Sequence, residues 1–140
     1  MVKENLNSDG NKINEIKTRT IRVRLDTEGF LRIVYVQGRE VTLEDVEENV
    51  KALINICQGK KLPIYIIGPV KSISRDARIF LIKNLPNITT AVAILKVSPF
   101  IPVLTAFAST MNRVINKDAL RLKIFGTEEK AITWLRNYLE

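Results

Sequence analysis

The sequence predicts an α/β fold: a single domain with a mixed, mostly parallel five-stranded sheet, an antiparallel hairpin at its start and about four helices, in the order β-β-α-β-α-β-α-β-α. Three observations predict it. Near the N-terminus, an alternating run and a second strand-like run are separated by a short turn, which makes a hairpin. Further along, two nearly continuous apolar runs, Leu62–Ile67 and Ile88–Val97, call for strands covered on both faces, the mark of a parallel sheet. Between and after the strands lie stretches whose apolar residues recur every three or four positions, so strands alternate with helices and right-handed crossovers follow.

Residues 1–16 are rich in Asn, Asp, Glu and Lys, show no hydrophobic period and hold the turn formers Ser8-Asp9-Gly10-Asn11, so they read as a flexible tail, with the domain spanning 17–140. From Thr18 to Leu25, Ile21, Val23 and Leu25 alternate with Thr20, Arg22 and Arg24, which is a half-buried strand. Asp26–Gly29 turns the chain, and Phe30–Val36 returns as the second strand of the hairpin. Thr42 is an N-cap: Asp45 stands three residues on, and Glu44, Glu47 and Glu48 load the start of the helix, where its dipole favours carboxylates. The stripe Leu43, Val46, Val50, Leu53, Ile54 and Cys57 faces the core, and Gly59 is the expected stop. Ser74 caps a second helix to Asn84 with Ala77, Phe80, Leu81 and Leu85 inward. Ser98-Pro99 starts a third, running to about Asn112. After the strand Leu120–Phe125, Gly126-Thr127-Glu128-Glu129 caps a last helix packed through Ala131, Ile132, Trp134, Leu135 and Leu139.

Composition narrows the chemistry. The chain has 140 residues, 46% hydrophobic and 26% charged, which suffices for a core without metal or disulfide. With no His, it has no Ser-His-Asp or Cys-His machinery, no His-ligated metal and no imidazole base. Its one cysteine, Cys57, falls on a core-facing helix position and reads as a small buried hydrophobe, in keeping with a reducing, cytoplasmic location. No apolar run approaches the roughly 20 residues of a spanning helix. No glycine-rich phosphate loop is present, and Glu47-Glu48 and Glu128-Glu129 point in different directions on their helices. The expectation is a protein without catalytic residues, cofactor or metal.

The element order, the junction Val70-Lys71-Ser72-Ile73-Ser74-Arg75-Asp76-Ala77-Arg78 and the ending Ile124-Phe125-Gly126-Thr127-Glu128-Glu129-Lys130-Ala131-Ile132-Thr133-Trp134-Leu135 resemble the SpoIIAA-like, or STAS/SEC14-type, family of small bacterial domains, over about Lys17–Glu140. In that family's anti-sigma antagonists a helix begins Asp-Ser-Ser-Gly, and the second Ser is phosphorylated by a partner kinase. Aligned on Val70, the helix-start Asp falls on Ser74, the next Ser on Arg75, the phosphorylated Ser on Asp76 and the Gly on Ala77. The resemblance therefore implies the fold and a non-enzymatic regulatory or protein-interaction module, lacking the usual phosphorylatable serine. The partner-binding candidates it singles out are Ser74, Arg75, Asp76 and Arg78. Asp76 would hold a permanent charge where the family places its switch, and Ser74 reads first as a cap.

Two further features bear on partners. Ser98–Phe107 holds more large apolar groups than one buried helix face needs, so Phe100, Ile101 and Leu104 are candidates for self-association as a homodimer. A small apolar-ligand, lipid or membrane-surface binder of SEC14 character is the alternative. The net charge of +7 includes possible ridges at Lys71, Arg75, Arg78 and Lys83 and at Arg113, Lys117, Arg121 and Lys123. With 6% aromatics and no nucleic-acid-binding motif, solvated surface is favoured over nucleic acid.

Overall fold

In the computed structural model the described residues are 15–68, 70–96, 110, 111, 113 and 120–139. Eight strands and three helices form among them: β1 (Glu15–Lys17), β2 (Ile21–Leu25), β3 (Leu31–Tyr35), β4 (Glu40–Val41), α1 (Leu43–Cys57), β5 (Ile64–Ile67), β6 (Ser72–Ile73), α2 (Arg75–Asn84), β7 (Ala91–Leu95), β8 (Arg121–Phe125) and α3 (Glu128–Leu135). Short 3-10 turns follow α2 and α3. The main sheet has six strands in the order β1-β2-β3-β5-β7-β8. Its β1–β2 and β2–β3 pairs are antiparallel, and the other three are parallel. The expected α/β class and the hairpin Asp26–Gly29 are thus present, the latter closed by Asp26 N–H to Phe30 O at 2.9 Å.

The strand expected over Thr18–Leu25 is shorter, Ile21–Leu25, and a further strand precedes it. Glu15 and Ile16, assigned by the sequence to the tail, begin β1, and the chain reverses over Thr18–Ile21 before β2 starts. Side chains make that turn. Thr18 Oγ1 accepts from the N–H of Ile21 at 3.2 Å and donates to Asn49 Oδ1 at 2.5 Å, while Asn49 Nδ2 donates to the buried Thr20 Oγ1 at 2.8 Å. The sheet therefore has six strands rather than five. A second, two-stranded parallel sheet, β4 with β6, was also unforeseen, since two-residue strands carry no readable period.

Side chains sort the sheet into two faces. Ile21, Val23, Leu31, Ile33, Ile64, Val92 and Ile94 pack with α1 and α2 through Val46, Val50, Leu53, Cys57 and Ala77 in the larger core. On the opposite face Phe30, Tyr65, Ala91, Ala93 and Phe125 pack with Ala131 and Leu135 of α3. The alanines let α3 lie close to the sheet. Cys57 is buried as expected. Thr42 and Asp45 form a reciprocal capping box on α1, but the residue that ends α1 in the left-handed region is Gln58 (φ 50°), with Gly59 following at φ 85°. Of the expected third helix, Thr110, Met111 and Arg113 are helical, and the rest lies outside the described residues.

Candidate functional site

The start of α2 is built by the small sheet. Strand β6 runs beside β4, Ser74 N–H donates to Val41 O at 2.9 Å, and the chain is thereby delivered to the helix with Ser74 at the N-cap. Its Oγ accepts from Ala77 N–H at 3.2 Å, so the hydroxyl is engaged in capping. Buried Ala77 anchors the turn, while Ser74, Arg75, Asp76 and Arg78 are all exposed around it. Lys71, which the sequence grouped with them, lies 3.9 Å from Glu40 across the small sheet. Ile79, one residue beyond, is 40% exposed. The self-association candidates Phe100, Ile101 and Leu104 lie outside the described residues. Of the second basic ridge, Lys117 lies outside as well, and Arg121 and Lys123 sit exposed on β8, the latter with its Nζ 5.5 Å from the centre of the Phe125 ring.

A different surface stands out from the topology. Helix α3 covers the outer face over β5 and β7 and contacts β8, leaving the outer face of β1–β3 without a helix among the described residues. Because Ile16, Ile21, Val23, Ile33 and Tyr35 point to the larger core, the alternate residues Lys17, Arg22, Arg24, Arg32 and Val34 point outward. Register then sets like charges opposite one another: Lys17 faces Arg22, and Arg24 faces Arg32. Only Glu15, opposite Arg24, brings an acid into this patch from the strands themselves. Lys17, Arg22 and Arg24 are exposed. The sequence contained these residues as the polar half of an alternating strand. It had no signal that this half would stay uncovered.

Arg32 sits where the patch meets α3. Its guanidinium donates to Glu128 Oε1 at 3.0 Å and to Asp26 Oδ2 at 3.3 Å, and stacks over the rings of Tyr65 and Phe30 at 5.3 and 5.7 Å. Its buried Nε makes no hydrogen bond. Tyr65 also donates to Glu128 Oε1, at 3.3 Å, and burial next to that carboxylate pushes its hydroxyl up to about 12, far above use as an acid or base near neutrality. The Glu128 expected to be a solvated helix-start carboxylate is thus a bracket between α3 and the sheet.

Other charged groups are structural. Arg19 clamps Asp45 through Nε at 2.8 Å and Nη2 at 2.7 Å, and this holds the carboxyl down at about 2. Burial raises the Cys57 thiol, which keeps it protonated and unreactive. Between the sheet and α1/α2 an apolar gap of about 50 Å³ is lined by residues such as Ile33, Leu53 and Ile66. An open cleft of about 530 Å³, at the amino ends of β5 and β7, is bordered by Lys60, Lys61 and Tyr138. Among the described residues no group of three His, Cys, Asp or Glu is placed to hold a metal ion, and no helix is long and apolar enough to cross a membrane.

No curated protein and no solved structure matches the chain. A family model does, that of the Domain of unknown function (DUF7793), over residues 23–139, from within β2 to the end of the turn after α3. With most of its length matched, this chain belongs to the DUF7793 family.

Proposed function

We propose that the protein is a non-enzymatic, cytoplasmic interaction module that binds an acidic protein partner on the outer face of β1–β3. One observation carries the reading: the like-charged neighbours Lys17–Arg22 and Arg24–Arg32 on a sheet face that no helix covers among the described residues. Directly opposed like charges destabilise a sheet, and solubility alone is served as well by alternating signs. Successive outward residues on β2 are about 7 Å apart, so Arg22 and Arg24 present two guanidinium forks that carboxylates can meet in bidentate fashion. A partner with clustered Asp or Glu relieves the repulsion and gains affinity in one step. Single-stranded nucleic acid is less well served, because binding it without sequence preference relies on exposed aromatic platforms, and Phe30 and Tyr65, the rings nearest the patch, are fully buried.

A second surface is favoured by the exposed Ile79, which lies one helical turn beyond Arg75 and Asp76. Mixed apolar and charged groups of this kind suit a protein contact at the start of α2, independent of phosphorylation. The lipid alternative is less well supported, since the apolar gap of about 50 Å³ is smaller than the roughly 150 Å³ that a benzene-sized ligand takes, and the cleft of about 530 Å³ is open and bordered by Lys60 and Lys61.

The test is a titration of the labelled protein with a poly-glutamate peptide of about 12 residues, followed by amide NMR shifts. Saturable shifts at Arg22, Arg24 and their neighbours, abolished by Arg22→Glu/Arg24→Glu and weakened by salt, support the reading. No shifts, shifts confined to residues 74–79, or tighter binding to anionic vesicles or an oligonucleotide than to the peptide overturn it.

A further inference from the structure

β1 has a neighbour on one side only among the described residues, so it is an edge strand. Which of its backbone groups face outward follows from the hairpin. Thr18 N–H donates to Ile21 O at 2.9 Å, making that pair hydrogen-bonded. Pairs alternate along an antiparallel ladder, so Ile16, opposite Val23, turns its N–H and C=O toward β2. Glu15 and Lys17 turn theirs outward, four groups in all with no strand beside them among the described residues. An edge of this kind is a template for another strand.

The three residues of β1 are complementary to themselves. Read in the opposite direction, Glu15-Ile16-Lys17 sets Glu against Lys, Ile against Ile and Lys against Glu. We propose that β1 pairs antiparallel with β1 of a second copy of this chain about a twofold axis at Ile16, joining two six-stranded sheets edge to edge. In this register Glu15 and Lys17 of the second copy lie opposite Lys17 and Glu15, both as hydrogen-bonded pairs, and all four outward backbone groups are satisfied. Ile16 meets Ile16 of the second copy as a non-hydrogen-bonded pair, where side chains approach most closely, on the helix side of the sheet. A cleft of about 270 Å³ lies there, between Ile16 and the α1 residues Lys51 and Ala52, next to the seam.

Charge favours a second copy over an unrelated strand. On its own sheet Lys17 faces Arg22, and Glu15 of the second copy supplies the carboxylate that this position lacks. The far edge, β8, carries only the cations Arg121 and Lys123 among its charged residues and has no such self-complement. Lys17 belongs to both surfaces, but Arg22 and Arg24, which decide the acidic-partner test, are not at the seam and the readout here is oligomeric state, so either reading can fail without the other.

Sedimentation velocity of the full chain from about 10 μM to about 1 mM, with folding checked by circular dichroism, tests it. The wild type is expected to dimerise. Glu15→Lys and Lys17→Glu each replace two opposite-charge contacts by two like-charge ones and are expected to raise the dissociation constant about tenfold. An equimolar mixture of the two variants, or the double swap Glu15→Lys/Lys17→Glu, is expected to restore wild-type association, and the double swap also serves if a single variant does not fold. In amide exchange, Glu15 and Lys17 should slow with concentration while Ile16 is protected throughout. A chain monomeric at about 1 mM overturns the proposal. So does a dimer indifferent to the swaps, including one broken by Ile101→Asp instead.

Discussion

Asp45 is held ionised by several donors at once, and Asp45→Asn measures what that charge contributes to the fold. The carboxylate is nearly enclosed, 7% exposed, and accepts from Arg19 Nε and Nη2, from the Thr42 N–H at 2.9 Å and from the Thr42 hydroxyl at 2.9 Å. These donors hold it at about 2, against an ordinary value of 3.8. A carboxyl whose folded value lies below its unfolded one stabilises the fold fully above the unfolded value and loses that contribution as pH falls through the folded one. Here the window runs from about pH 4 to pH 2. A gap of nearly two pH units at about 1.4 kcal/mol each gives about 2 kcal/mol at neutrality, of the same order as a charged hydrogen bond between buried groups. Urea unfolding, followed by the fluorescence of the single Trp134, compares wild type and variant from pH 7 to pH 1.5. The variant is expected to be about 2 kcal/mol less stable at pH 7, with the difference closing below pH 2 as the wild-type carboxyl takes up its proton. Because every other acid titrates in both proteins, the difference isolates this site. A difference independent of pH would refute the reasoning, since the interaction would then not depend on the charge.

Four other expectations rest on single contacts. Ser74→Ala should cost about 1 kcal/mol through loss of the bond to Ala77 N–H, whereas Ser74→Asp should be nearly neutral, both by urea unfolding. Ala93→Leu should destabilise by about 1 to 3 kcal/mol or more, because Ala93 and Ala131 are wholly buried between α3 and the sheet; an unchanged thermal midpoint would deny that close approach. Gly29→Ala should cost about 1 kcal/mol or more, since Gly29 closes the β2–β3 turn at φ 109°, a conformation that only glycine adopts without strain. The Cys57 thiol should react slowly with a thiol reagent in the native protein and at once in urea, and rapid native labelling would contradict its burial.

The sequence was legible where structure is decided locally. The alternation through Ile21, Val23 and Leu25, the Thr42–Asp45 capping box and the Ser74 cap each rest on residues within a few positions of one another, and each is present. Features decided at a distance were not readable. The β1–β2 turn has neither Gly nor Pro nor Asn of its own; it depends on Asn49, which reaches Thr18 and Thr20 from a helix about thirty residues away. The α1 terminus drew attention to Gly59, yet Gln58 takes the first left-handed position. Ser74 caps a helix start as expected, with Arg75, Asp76 and Arg78 exposed around it. The basic patch was missed because alternation marks the side of a strand that faces away from the core, without saying whether another element will cover it.

That cover is a matter of topology. Strands β3, β5 and β7 succeed one another in the sheet with parallel pairing, so the two right-handed crossovers advance in the same direction and lay α1 and α2 on the same face. On the opposite face, the helix found among the described residues is the one that follows β8. An eight-residue helix such as α3 is about 12 Å long and about 10 Å wide, enough to shield two or three strands at 4.8 Å spacing. It lies over β5 and β7, which leaves β1–β3 without a helix among the described residues. Water demands only polarity there, and Thr, Ser, Gln or alternating charge would satisfy it. Arg22 and Arg24, with Lys17 and Arg32 set directly across from them, supply a single sign at a cost in sheet stability. Asp26 and Glu128 neutralise Arg32 from within the fold. Glu15 lies across from Arg24, and no acid on the neighbouring strands lies across from Arg22. The position least compensated by the fold is therefore Arg22, and it is there that an acidic partner gains most and that reversal of charge should cost it most.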